Sequence, residues 1–149
     1  MMKYTVVVLF LCVAITALSF TGRGQAAQIM NVSKINLSVG KHILTATLAD
    51  NSSACRLAEL LSQAPLTVNM SDYGGMEKVG PLGTNLPRND EHMTTGPGDL
   101  ILYQGNSFVI YYDRNSWSLT RLGKIDNITQ DELKIILGNG DVTVTLSLN

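Results

Sequence analysis

Trp117 and Arg121 stand four residues apart in SWSLTRLG, a spacing that puts both side chains on one face of a strand, where the side-chain period is two. An arginine beside an indole on a sheet face can hold a carboxylate or a peptide carbonyl while the ring packs an apolar group. Tyr73, Met76 and Phe108 are the residues that would complete an apolar slot around such a pair, since tyrosine and methionine suit adaptable pockets. Each has an ordinary alternative: Trp117 can fill a core as its largest side chain, Arg121 can stand in solvent, and the other three can be packing. Arg88 is a weaker second cation.

Other chemistry has little support. Asp90, Glu91 and His92 place three ligand types together, but consecutive residues seldom converge on one ion and His42 lies far off in sequence, so no metal is expected. No nucleophile-elbow pattern surrounds any serine. Gly74, Gly75, Gly80 and Gly83 match neither a P-loop nor a dinucleotide fingerprint, because no strand-to-helix junction carries them, and turn geometry explains them better. No cofactor is expected.

The 149 residues hold one domain, with a hydrophobic fraction of 45% that is ample for one core. Its first part reads as a leader. Lys3 precedes an unbroken apolar run from Val6 to Leu18, followed by small and polar residues through Ala26 and Ala27, the order of a secretory signal peptide. A retained anchor is the alternative, but the 13-residue run falls short of the roughly 20 needed to span a bilayer. Residues 1–27 are thus expected to be a signal peptide cleaved after Ala26 or Ala27, leaving residues 28–149 as a secreted or periplasmic domain with no integral span. Losing Lys3 and Arg23 leaves 9 basic and 12 acidic residues, a formal charge of −3. With no basic cluster, nucleic acid is not an expected partner. Cleavage also removes Cys12, and the remaining Cys55 reads as a small buried thiol that can close no disulfide within the domain.

The elements that must position these residues are mostly strands. Met30–Leu37 and His42–Leu48 are apolar-rich runs joined by Val39-Gly40-Lys41, a hairpin signal. Ala54, Leu57, Ala58 and Leu61 recur at helical spacing between Asn51 or Ser52 and Pro65. Leu66, Val68 and Met70 alternate with polar residues in a strand ended by Asp72 and Tyr73. The glycine- and proline-rich excursion from Gly74 to Gly98 is too long for a structureless loop, and is expected to hold short strands near Lys78–Leu82 and Glu91–Thr94 and to form a functional flap. Three strands follow in GPGDLILYQGNSFVIYYDRNSWSLTRLG, with turns at Gly105-Asn106 and Asp113–Asn115. Thr129-Gln130-Asp131-Glu132 fits a capping box, flanked by Ile128 and Leu133 at staple positions and closed by Gly138. Val142, Val144, Leu146 and Leu148 alternate with polar residues in a last half-buried strand.

Periodicity alone leaves a small barrel or a sandwich open. The element order, together with NMSDYGGMEKVGPL and GPGDLILYQGNSFVIYY, resembles the cyclophilin-like proteins, most of all the small bacterial cyclophilin-like family, over essentially all of residues 28–149. The resemblance implies a mainly β fold: a closed eight-stranded β-barrel capped by two α-helices. It also implies a possible reaction, peptidyl-prolyl cis-trans isomerisation, which must lower a barrier of about 18–20 kcal/mol by donating a hydrogen bond to the twisted amide nitrogen. Cyclophilins place an arginine on the strand after the first helix. The matching strand here, Leu66–Tyr73, has none. The sequence therefore favours a barrel that binds a small molecule or an extended peptide in an apolar groove beside Gly74–Thr95, using Tyr73, Met76, Phe108, Trp117 and Arg121. An isomerase with Arg121 as a relocated donor is the alternative. A structural or partner-docking domain is the third reading, and requires these aromatics to be buried.

Overall fold

The structure, a computed structural model, describes residues 32–149; the leader expected over residues 1–27 lies outside the described residues. Nine strands and two helices follow in the order β1 Lys34–Val39, β2 His42–Leu48, α1 Ser52–Gln63, β3 Leu66–Tyr73, β4 Glu77–Pro81, β5 Glu91–Thr94, β6 Asp99–Tyr103, β7 Ser107–Tyr111, β8 Ser116–Ile125, α2 Gln130–Leu137 and β9 Val142–Leu148. Eight of them close into an antiparallel barrel in the order β2-β1-β9-β3-β4-β7-β6-β8, with β8 returning to pair with β2. The ninth, β5, lies outside the cylinder. It pairs with Ser116–Leu119 of β8, which lie beyond the Thr120–Lys124 stretch that pairs with β6.

Alternation sorts the side chains of this sheet into an inside and an outside. Along β6, Leu100 and Leu102 point into the barrel and Ile101 outward; along β7, Phe108 and Ile110 point inward and Val109 and Tyr111 outward. The inward set merges with Ile35, Leu37, Val68, Met70, Leu122, Val144 and Leu146 in one core. Each fully buried side chain of this size stabilises the fold by about 1.5–3 kcal/mol relative to exposure.

The helices plug opposite ends. β3 and β9 are antiparallel neighbours, and α1 leads into β3 as α2 leads into β9, so the two helices meet the cylinder from opposite sides. Leu57 and Leu61 enter the core from α1, Leu133 and Leu137 from α2. The cap of α1 is Asn51, whose Oδ1 accepts from the Ala54 N–H at 2.9 Å. At α2 the Thr129 hydroxyl accepts from the Glu132 N–H at 3.2 Å while the Glu132 carboxylate accepts from the Thr129 N–H at 2.9 Å, the capping box expected from the sequence.

Two expectations are corrected. The stretch between β4 and β5, expected to form a flap, is tied down to the barrel and to α1. Leu82 and Leu86 are buried, their N–H groups donate to Asn106 and Gly105 carbonyls at 2.8 and 2.7 Å, and the Ser53 hydroxyl donates to the Pro87 carbonyl. Cys55, half-buried on α1, is disulfide-bonded.

Candidate functional site

The outward-facing residues of β4, β6, β7 and β8 do not all meet solvent. Ile101, Val109, Tyr111 and Leu119 form a second buried cluster on the outer wall of the barrel, flanked by Met76, Val79 and Met93. The turn from Tyr73 to Met76 rises on one side of this cluster and the start of β8 on the other. Between them lies a groove of about 440 Å³, within the range of small-molecule sites.

Its floor is Val79, Val109 and Leu119, and its walls carry Tyr73, Met76, Tyr103 and Trp117. Tyr73 is 63% exposed and Trp117 60%. The polar groups are few: Glu77, Tyr111 and Asn115. Glu77 and Tyr111 are direct register partners across the β4–β7 ladder. The Asn115 amide donates to the Tyr111 hydroxyl oxygen at 3.1 Å. Burial pushes the Glu77 carboxyl above its ordinary range, against the opposing effect of the neighbouring Tyr111 hydroxyl. Burial likewise pushes Tyr111 well up, so it stays a neutral donor.

Of the five residues drawn from the sequence, the fold brings Tyr73, Met76 and Trp117 together at this groove. Phe108 is a correction: it points into the barrel and is fully buried in the main core, because the parity of β7 gives the outer face to Val109 and Tyr111. Arg121 shares the outer face with Trp117 but does not line the groove. Its Nη1 lies 2.6 Å from Oδ1 of the buried Asp99 and its Nη2 3.6 Å from the Met93 sulfur. Arg88 is tied to Asp90, whose carboxylate also accepts the Thr120 hydroxyl at 2.6 Å. Among the described residues, no three of His, Cys, Asp and Glu gather as a metal site.

Glu77, Tyr103, Tyr111 and Asn115 were missed by the sequence reading. Tyr111 shares the outer face with Val109, but a strand that is apolar on both faces gives no sign in the sequence of which residues point outward. Nothing local marks Glu77, which reads as a charged turn residue in GGMEKVG.

The model of the cyclophilin-like family matches residues 37–147. Among solved structures, one titled as McbB in complex with tryptophan superposes with a TM-score of 0.56 at 17% identity, over 77% of this chain and 44% of that one. The solution structure of a hypothetical protein from Archaeoglobus fulgidus gives a TM-score of 0.57 at 12% identity, over 78% of this chain and 95% of that one. The chain thus spans less than half of McbB, and at these identities the likeness is one of fold. No curated protein matches the chain.

Proposed function

The chain belongs to the cyclophilin-like family, and on that premise we propose that it is an exported barrel, secreted or periplasmic, that holds a small molecule or one side chain of an extended peptide in the groove between Tyr73 and Trp117. One observation carries the reading. Two large aromatic side chains stand mostly in solvent on either side of a concave apolar floor, where a domain with only a structural role would bury them. Export rests on the order of charge, apolar run and small residues over positions 1–27.

Isomerase chemistry finds less support. A donor to a prolyl nitrogen must be free to leave its resting partners, whereas Arg121 is held by a carboxylate buried in the wall, and the strand after α1 carries no arginine.

The experiment uses Trp117, the single tryptophan of the chain. In the purified protein its emission should be quenched readily by acrylamide. A small neutral aromatic such as 2-phenylethanol should protect it and shift its emission, and Tyr73→Ala should weaken that titration about tenfold. A tryptophan that no aromatic compound or proline peptide protects would end this reading.

A further inference from the structure

We propose that the groove selects ligands bearing a cationic amine, with the ammonium seated against the Glu77 carboxylate and between the rings of Tyr73, Tyr103 and Trp117. This rests on the binding reading above and adds the ligand's charge to it.

The argument is one of unbalanced charge. Glu77 is only 8% exposed, and buried carboxylates are normally paired with a cation. The other buried carboxylate, Asp99, has Arg121; Asp72, Asp90 and Asp126 have Lys78, Arg88 and Lys34. Glu77 alone of these has no basic side chain within ion-pair distance among the described residues. Its sequence neighbour Lys78 cannot serve, because alternation turns it into the barrel, where its Nζ donates to the Gly140 carbonyl at 2.7 Å.

The groove lining contains one carboxylate and no base, so its field favours a cation and opposes an anion. Three aromatic rings surround the same space, and their negative faces attract ammonium groups. The Asn115 amide donates to the Tyr111 hydroxyl oxygen, and Tyr111 stands directly across the β4–β7 ladder from Glu77. A carboxylate accepts up to about four hydrogen bonds, so Glu77, which lines the groove, can take a ligand ammonium entering from it. The cost of burying this acid is the expected mark of a site left short of its counter-charge.

The test compares three probes of one shape by Trp117 fluorescence and calorimetry: 2-phenylethylamine, 2-phenylethanol and 3-phenylpropionate. The amine should bind at least tenfold more tightly than the alcohol, and the carboxylate most weakly. In Glu77→Gln the ratio of amine to alcohol affinity should fall from tenfold or more to about one. An alcohol that binds the unaltered protein as well as the amine does overturns cation selection and leaves the groove reading standing. Failure of all three to bind overturns both. The comparison in the unaltered protein decides by itself if Glu77→Gln does not fold.

Discussion

Lys78 and Asp72 are register partners across the β3–β4 ladder, with Nζ 3.1 Å from Oδ1 and the lysine side chain 1% exposed against 38% for the aspartate. The lysine thus crosses from the barrel interior to a carboxylate at its rim. Its Nζ lies 5.9 Å from the Tyr112 ring centroid, and the Tyr112 hydroxyl donates to the same Asp72 oxygen at 2.6 Å. Burial and that hydrogen bond push Tyr112 up to about 12. The stem fills interior volume and the head ties the β4 strand to the Gly138–Gly140 turn after α2. Lys78→Ala should therefore lower stability by about 2–4 kcal/mol, mostly as a cavity, because the half-exposed Asp72 regains water. Lys78→Met keeps the stem and should lose less than half as much. Urea denaturation of both variants checks this; equal losses would assign the effect to the ion pair.

Arg121→Ala should behave as a stability variant and leave the groove intact. It strands the Asp99 carboxylate, which is 5% exposed and keeps only the Gly96 N–H at 2.8 Å. Removing one partner of a fully buried pair costs about 3–5 kcal/mol; with Arg121 itself a third exposed, a loss of roughly 2 kcal/mol is expected. Ligand affinity measured on the folded variant should stay within twofold. A tenfold loss of affinity without a loss of stability would return Arg121 to the site.

These two cases show what the sequence could convey. Capping at Thr129 and Glu132 is a matter of residues three apart, and the alternation of Val142–Leu148 is self-contained, so both were legible. In Ser107–Tyr112 every residue after the serine is apolar or aromatic, because β7 is buried on both faces. Such a run hides its parity, which is why Phe108 was placed in the groove and Tyr111 was not. The parity of Arg121 was read correctly, but Asp99, 22 residues earlier, claims it through the β6–β8 pairing. That pairing carries a register shift between Leu100 and Ile101, and no local pattern announces it. Glu77 became part of a site only through its register with Tyr111, a contact that the barrel's topology creates.

Barrel closure is the other feature absent from any local pattern, and Gly123 permits it. It faces Leu48 of β2 and Leu100 of β6, and a Cβ there would stand 2.4 Å from the Thr47 carbonyl oxygen and 3.2 Å from the Leu48 Cα. Backbone cannot swing aside as a side chain can. Gly123→Ala should cost roughly 1–3 kcal/mol through overpacking and should loosen the β2–β8 seam first. Hydrogen exchange locates the effect: the Ala49 amide, which donates to the Leu122 carbonyl at 2.8 Å, should exchange faster relative to amides of the β3–β9 ladder. A uniform loss of protection would mean that the seam is not the weak point.

The acid at the base of the groove makes the sharpest pH prediction, because its sign opposes that of the other shifted carboxylates. Asp72 is held below its ordinary 3.8, first by the Tyr112 hydroxyl and then by Lys78. It therefore contributes stability above 3.8 that is lost as pH falls through the lower folded value. Burial raises Glu77 above its ordinary 4.5. The folded state then holds this proton to higher pH than the unfolded chain does, so stability falls as pH rises from 4.5 through the raised folded value, and stays reduced above it. Glu77→Gln removes that penalty while keeping the shape of the side chain. Its stability relative to the unaltered protein should be close to equal below 4.5 and should grow in favour of the variant as pH rises towards neutrality. Urea midpoints at pH values on both sides of the titration measure the difference. A bound amine should reverse the order at neutral pH, since it binds, and so stabilises, the protein that retains the carboxylate more than the variant. A variant less stable than the unaltered protein at neutral pH without ligand would show that Glu77 serves the fold, and that its burial is not a cost borne for binding.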